Sequence, residues 1–222
     1  MAEQVKKKTL TTSAIAPPPN ATGRRERRRR ETREKIFRAA LQLFASQGFF
    51  QTTTGQITEA ADVGQGTFFN YFPTKQHVFA VLSEIQLRNV RDARARAESA
   101  DTAIRPRLRS LLFALASEPG KTRALARALF SAFFSNELVR DLIAKTLSEG
   151  RKELTAIIAV GQKRGELRAD RKPAEIALAF QRTLAGTLLL WAMQSRGSLK
   201  PWLESAFEDF WAMAAIRKGP VQ

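Results

Sequence analysis

Residues 53–75 of the chain read TTGQITEAADVGQGTFFNYFPTK, and this stretch predicts two short helices joined by a tight turn. Thr53 or Thr54 is suited to cap the first helix, because a threonine oxygen accepts a hydrogen bond from an unpaired backbone N–H. Asp62 stands at the turn, where the chain needs a residue that tolerates a left-handed backbone. Gly64 then begins the second helix at little steric cost.

The second helix of this pair has an inward and an outward face. Phe68 and Phe72 lie four residues apart, which predicts that both pack inward. The outward side chains are of the kinds that bond base edges or touch a thymine methyl, namely Gln65, Thr67, Phe69 and Asn70. Tyr71 and Lys75 flank this set with a hydroxyl and a cation suited to phosphate contact. The sequence therefore predicts a helix that enters a DNA groove.

A longer helix is predicted ahead of the pair, near residues 31–46. Its inward face carries Phe37, Ala40, Leu41 and Phe44, and Gly48 follows as a helix stop. The run GRRERRRR, residues 23–30, precedes it, either as a basic arm that touches DNA or as a solvated extension of the helix. Two helices around a turn also occur in proteins that bind no nucleic acid, so these flanks strengthen the DNA interpretation.

Residues 33–82 resemble the DNA-binding domain of the TetR family of transcriptional regulators. The matching residues are Ile36, Ala39, Ala40, Phe44, Gly48, Phe49, Thr53, Thr54, Ile57, Ala60, Ala61, Val63, Gly66, Thr67, Phe68, Asn70, Tyr71, Phe72, Pro73 and Lys75. Three positions depart from the family pattern: Asp62 replaces the usual Gly, Phe69 the usual Tyr, and Gly55 a larger residue. The predicted DNA-binding set is Thr53, Thr54, Gly55, Gln65, Gly66, Thr67, Phe69, Asn70, Tyr71 and Lys75.

The composition narrows the class of protein further. The chain has 222 residues, 44% of them hydrophobic, and a net charge of +16, which indicates a polyanionic partner. Cysteine is absent and His77 is the single histidine, which excludes disulfides and nearly excludes zinc sites and histidine-based catalysis. Neither a G-x-S-x-G nor a P-loop pattern is present. We therefore expect neither an enzyme nor a bound cofactor or metal.

The resemblance and the helical pattern after residue 80 predict an all-α protein. An N-terminal three-helix helix-turn-helix DNA-binding domain would be joined to a larger C-terminal helical bundle of the TetR type. We expect a disordered basic arm at residues 1–23, the DNA-binding domain at 24–80 and the ligand-binding and dimerisation domain at 81–222. The apolar run near residues 184–193 is too short to span a bilayer, so a soluble, cytoplasmic protein is expected.

The last two helices, near residues 173–195 and 201–217, carry rich apolar stripes at helical spacing. Their residues are Ile176, Phe180, Leu184, Leu188 and Trp191 in the first helix, and Leu203, Phe207, Phe210 and Trp211 in the second. The stripes either pack within one chain or form a homodimer interface, and we favour the interface. In the family these helices build a four-helix dimer interface, which suits the two half-sites of a palindromic operator.

The resemblance also implies a ligand pocket among the middle helices. Candidate lining residues are Phe113, Leu125, Leu129, Phe130, Phe133 and Phe134, although ordinary core packing is the better explanation for any single one of them. No buried acid or histidine cluster stands out here, so an effector would be apolar or aromatic.

Two functions of different class remain open at this point. The first is a dimeric transcriptional regulator, a repressor that a small apolar ligand releases from a palindromic operator on double-stranded DNA. The second is a nonspecific or architectural nucleic-acid-binding protein without an effector. Sequence preference at physiological salt separates the two, because contacts to phosphates alone carry no sequence information.

Overall fold

A computed structural model of the chain describes residues 20–99 and 103–216. Within these ranges the chain forms the helices α1 (Asn20–Gln47), α2 (Thr54–Ala60), α3 (Gln65–Tyr71), α4 (Phe79–Ser99), α5 (Ile104–Ala116), α6 (Arg123–Ser135), α7 (Glu137–Lys163), α8 (Pro173–Met193) and α9 (Leu199–Ala214). A 3-10 turn, Lys75–Val78, leads directly into α4. Extended pairing in the described ranges is limited to one bridge between Leu167 and Ala215. The all-α prediction is confirmed.

The chain divides into two compact units, residues 1–34 and residues 35–222. Of the first unit, the structure describes the opening of α1 from Asn20 onward, and residues 1–19 of the predicted arm lie outside the described residues. Residues 20–23 are helical, so α1 begins inside the segment that was expected to be a disordered arm. The arginines between residues 24 and 30 are exposed on this helix, and Arg27 pairs with Glu31, one turn later, at 3.5 Å.

Local sequence signals set the ends of the short helices. Gly48 stops α1 with φ +86°, a conformation that favours glycine. Thr53 is the N-cap of α2, and its hydroxyl and the Gln56 side chain form a reciprocal capping box. Asp62 holds the turn between α2 and α3 at φ +47°, and Gly64 caps α3 in an extended conformation. These four positions behave as their residue types predict.

Helices α1 to α4 pack around a set of buried phenylalanines, Phe37, Phe44, Phe49, Phe68, Phe72 and Phe79. The Phe44 and Phe79 rings stack at 5.8 Å, and Phe49 meets both edge-on. The same hydrophobic cluster contains four residues of α6, namely Leu125, Ala128, Leu129 and Ala132. Helix α6 therefore completes the core beneath the predicted DNA-binding helices.

A second core forms among α4, α5, α7, α8 and α9. Phe180 of α8 contacts Phe210 of α9 edge-on at 5.3 Å. By length and composition alone α8 could cross a membrane, with a mean hydropathy of 1.4 over its most apolar stretch. The core helix of a protein meets the same length and composition criteria as a membrane-spanning helix. In α8 the residues Ile176, Phe180, Leu188 and Trp191 are buried in the protein.

Candidate nucleic-acid interface and ligand cavity

Helix α3 is held by one face and exposes the other. Phe68 is fully buried and Phe72 nearly so. Gln65, Gly66, Phe69 and Asn70 are exposed, whereas Thr67 and Tyr71 are half-buried. Phe69 leaves 51% of its surface in solvent, and its ring meets Phe68 edge-on at 5.4 Å. The face predicted to meet the bases is thus the face that the fold leaves open.

The start of α2 lies beside the start of α3. A Cβ placed on Gly55 would lie 4.0 Å from Nε2 of Gln65 and 3.8 Å from Oγ1 of Thr53. Thr53 is exposed, but its hydroxyl already accepts from the Gln56 backbone N–H at 3.2 Å, while Thr54 is half-buried. The start of α2 and Gln65 of α3 are therefore adjacent. The Thr53 side chain serves the helix cap.

Lys75 lies where sequence reasoning did not place it. Its ammonium donates to the backbone carbonyl oxygens of Phe49 (2.9 Å), Phe50 (3.2 Å) and Thr52 (2.7 Å). The same group sits 4.6 Å from the centre of the Phe49 ring. Three donors are all that an ammonium has, so this side chain is engaged in bracing the loop between α1 and α2. The expected phosphate contact does not fit this geometry, and burial lowers the pKa of Lys75.

An ion pair that the sequence did not single out supports the turn. Nζ of Lys35 on α1 lies 3.3 Å from Oδ2 of Asp62, and both side chains are largely exposed. This contact ties the left-handed turn to the first helix, although an exposed pair contributes at most about 1 kcal/mol. The partners lie 27 residues apart, beyond the reach of helical periodicity.

Comparison with known proteins agrees with this geometry. The sequence profile of the family described as "Bacterial regulatory proteins, tetR family" matches residues 36–82, the span of the helices around α3. The HTH-type transcriptional regulator TtgR of Pseudomonas putida is 24% identical over 201 residues, which are 85% of this chain and 95% of TtgR.

Residues 36–82 form a DNA-binding domain of the TetR family of transcriptional regulators.

Two further relatives extend the comparison. The nucleoid occlusion factor SlmA of Glaesserella parasuis serovar 5 is 26% identical over 163 residues, which are 72% of this chain and 76% of SlmA. The crystal structure of FadR from Bacillus subtilis in complex with stearoyl-CoA shares the fold, with a TM-score of 0.67 and 20% identity. That match covers 81% of this chain and 97% of FadR.

A cavity of about 210 Å³ lies among α4, α5, α6, α7 and α8. Its wall includes Leu129, Phe130 and Phe133, three of the six predicted lining residues. The other three predicted lining residues are not part of its wall. Leu125 packs in the core beneath α1 to α4, Phe113 lies under the Arg109 guanidinium at 4.9 Å, and Phe134 is 70% exposed.

Several residues of the cavity wall were missed by sequence reasoning. Ser83 and Gln86 of α4 and Gln181 of α8 contribute polar groups to it. Of these two helices, α8 alone was predicted to carry an apolar stripe, and none of its polar residues was given a role. The signal available in the sequence was a polar residue within such a stripe, as Ser83 is between Leu82 and other apolar positions of α4.

The predicted dimer residues lie mostly inside one chain. Seven of them are buried within the protomer, namely Ile176, Phe180, Leu188, Trp191, Leu203, Phe207 and Phe210. Leu184 and Trp211 are half-buried and pack against the same core. The two stripes face each other and α5, because the rings of Phe180, Phe207 and Phe210 meet in one cluster. Most of the predicted interface residues are therefore core within one chain.

The outward side of α8 and α9 carries a different apolar set. Leu190 is 54% exposed and Met193 is 71% exposed on α8, and Trp202 of α9 is half-buried. Leu190 and Trp202 line a shallow surface depression together with Pro201 and Ala206. Exposed large apolar side chains grouped on neighbouring helices are typical of a protein contact surface.

Proposed function

We propose that the chain is a homodimeric, sequence-specific repressor that a small apolar molecule releases from a palindromic operator. In this proposal residues 24–80 bind DNA, residues 81–222 hold the effector and the dimer contact, and residues 1–23 form a basic arm. The observation that best supports this proposal is the outward face of α3, which carries Gln65, Thr67 and Asn70. Phe68 and Phe72, which are buried in the core, hold the helix in this orientation. Side chains of these types bond base edges in a major groove.

The dimer is proposed through the outward face of α8 and α9. A two-fold axis brings the same patch of both chains together, so the patch of Leu190, Met193 and Trp202 on one chain would meet the same patch on the other. Gly186, on α8 one turn before Leu190, has nothing within 4 Å of the position its Cβ would take, which allows close helix approach. A dimer presents two copies of α3, as the two half-sites of an operator require.

A chain of aromatic contacts supports a route from the cavity to the DNA-binding helices. Phe130 meets Phe133 at 5.9 Å, Phe133 meets Phe79 at 5.9 Å, and Phe79 meets Phe49 at 5.5 Å. Phe49 in turn lies under the Lys75 ammonium, which braces the loop before α2. A ligand that prefers a displaced Phe133 would shift this stack and the α2 cap with it. Release from DNA follows if the displaced state holds α3 in a poorer orientation.

The effector is proposed to occupy the cavity among α4 to α8. FadR from Bacillus subtilis, a protein of the same fold, was crystallised in complex with stearoyl-CoA, which supports a ligand with a large apolar part. The cavity of this chain is walled chiefly by leucine and phenylalanine side chains, among them Leu129, Phe130 and Phe133. Burial of such a surface favours an apolar molecule.

A second candidate function is an architectural DNA-binding protein without an effector. The similarity to the nucleoid occlusion factor SlmA favours it, as do the exposed arginines of residues 24–30. An architectural protein that contacts phosphates alone would bind all sequences with similar affinity. The two candidates therefore differ in their DNA sequence preference, which one experiment measures.

Selection of bound sequences from a random DNA pool at physiological salt tests the proposal. We expect a palindromic preferred sequence, and we expect Gln65→Ala and Asn70→Ala each to relax it at particular positions, by about 1–3 kcal/mol per lost base contact. Gln194→Ala, an exposed substitution after the end of α8, is the matched control and should return the wild-type preference. Absence of any preference in the wild-type protein would favour the architectural candidate. Unchanged preferences in both α3 variants would refute the assignment of α3.

A further inference from the structure

The wall of the cavity among α4 to α8 is electrically neutral. Within the described part of the chain its lining residues include no acidic, basic or histidine side chain, and its polar side chains are Ser83, Gln86, Thr146 and Gln181. A carboxylate or phosphate moved from water into such a wall loses its hydration without gaining a counter-charge. The part of a ligand that enters the cavity is therefore uncharged.

Three of the four polar side chains already donate a hydrogen bond within the protein. They donate to main-chain carbonyl oxygens: Gln86 Nε2 to Leu115 (3.1 Å), Gln181 Nε2 to Leu147 (2.7 Å) and Thr146 Oγ1 to Leu142 (2.8 Å). These bonds hold the three side chains in place, while each glutamine amide keeps a second N–H and its oxygen. Ser83 is the exception.

Ser83 is buried, with 4% of its surface exposed, and its hydroxyl has no hydrogen-bond partner among the described residues. A serine inside a helix can donate to the carbonyl four residues earlier, as Thr146 does here to Leu142 and Thr187 to Thr183. The Ser83 hydroxyl makes no such bond, and one side-chain torsion decides where it points. A buried hydroxyl without a partner is unfavourable, so a ligand oxygen that pairs with it gains affinity.

We propose that the cavity binds a neutral, ring-containing molecule with a single hydroxyl or carbonyl oxygen, and that Ser83 Oγ hydrogen-bonds to that oxygen. This inference rests on the proposed function, in which the cavity holds the effector, and it names the effector's chemical class. The volume of about 210 Å³ exceeds the cavity of about 150 Å³ that accommodates benzene in another protein, so a bicyclic aromatic fits. Phe130, Phe133 and Phe180 supply aromatic contacts on the wall.

Equilibrium dialysis of the DNA-free protein against 1-naphthol, naphthalene and 1-naphthoate tests the inference. We expect 1-naphthol to bind about fivefold to tenfold more tightly than naphthalene, the effect of one net hydrogen bond. The anion 1-naphthoate should bind at least about tenfold more weakly than 1-naphthol. Ser83→Ala should remove the preference for 1-naphthol and leave naphthalene binding in place.

Thr146→Val is the matched control, because it removes a hydroxyl from the same wall that is already committed to Leu142. It should leave the ratio of the 1-naphthol and naphthalene affinities unchanged. Circular dichroism confirms that each variant is folded, and Ser83→Cys, which keeps a small side chain with a weaker donor, replaces Ser83→Ala if the latter unfolds. An unchanged ratio in the Ser83 variant overturns the inference. So does equal binding of 1-naphthoate, or no binding of 1-naphthol to the wild-type protein.

The outcome separates this inference from the proposed function. Dialysis uses no DNA, so binding of 1-naphthol through Ser83 supports the inference even if the random pool yields no preferred sequence. A protein that selects a palindrome but ignores all three probes retains the DNA-binding part of the proposed function and overturns the ligand class.

Discussion

Replacement of Lys75 by methionine should destabilise the protein rather than weaken a phosphate contact. The change keeps most of the side-chain volume and removes the ammonium that binds the carbonyl oxygens of Phe49, Phe50 and Thr52. A hydrogen bond to a charged group contributes about 1.5–3 kcal/mol, and a cation over an aromatic ring about 0.5–1 kcal/mol where water is near. The three bonds share one half-buried charge, so they do not add fully. We expect the free energy of unfolding to fall by about 2–4 kcal/mol.

Two measurements decide this prediction. Urea unfolding gives the change in the free energy of unfolding. Lys145 is an exposed lysine of α7, and the free energy of unfolding of the control variant Lys145→Met should lie within about 0.5 kcal/mol of the wild-type value. The dependence of DNA affinity on salt, measured where the variant is folded, should keep the wild-type slope. A phosphate-binding lysine would instead lower that slope by about 1.

Wild-type stability in Lys75→Met, together with a reduced salt slope, would refute the bracing role. It would show that the ammonium leaves its three carbonyl acceptors when DNA binds. The opposite pattern, lost stability with an unchanged slope, assigns the side chain to the loop before α2.

Three other perturbations test separate features. Asp62→Val and Asp62→Gly both remove the exposed pair with Lys35, but Asp62→Val should lower the free energy of unfolding by about 1–2 kcal/mol more than Asp62→Gly because φ is +47° there; equal losses in urea would contradict the strain argument. Leu190→Glu combined with Met193→Glu should give monomers in sedimentation, while Leu138→Glu, an exposed leucine on α7, should stay dimeric; a dimeric double variant places the interface elsewhere. Deletion of residues 1–28 should reduce DNA affinity most at low salt and leave the thermal midpoint nearly unchanged. If the deleted protein keeps full affinity at low salt, the arginines of residues 24–30 form only a solvated extension of α1.

The features predicted correctly depend on neighbours in sequence. Gly48 and Thr53 end and begin helices through their own backbone preferences and a partner at most three residues away. The inward position of Phe68 and Phe72 follows from their spacing of four. Such signals need no knowledge of the tertiary structure, which is why α2, α3 and the exposed face of α3 were foreseen.

The features that were missed depend on partners far along the chain. Lys75 finds its acceptors 23 to 26 residues earlier, and they are main-chain oxygens that no residue type announces. The stripes of α8 and α9 have the same periodicity whether they face each other or a second chain, so spacing could not separate core from interface. The unpaired hydroxyl of Ser83 is likewise a property of the packed cavity wall.

The contribution of α6 to the core beneath α1 to α4 has a consequence for building chimeric regulators. The hydrophobic cluster of Phe44 and Phe79 includes four residues of α6, namely Leu125, Ala128, Leu129 and Ala132. A DNA-binding segment transplanted without α6 would therefore expose apolar residues that α6 covers in this protein. A recipient protein would need small and branched residues at the matching positions of its own sixth helix. The operator specificity proposed for α3, in contrast, rests on exposed residues outside this hydrophobic cluster, and we expect substitutions at those residues alone to change it.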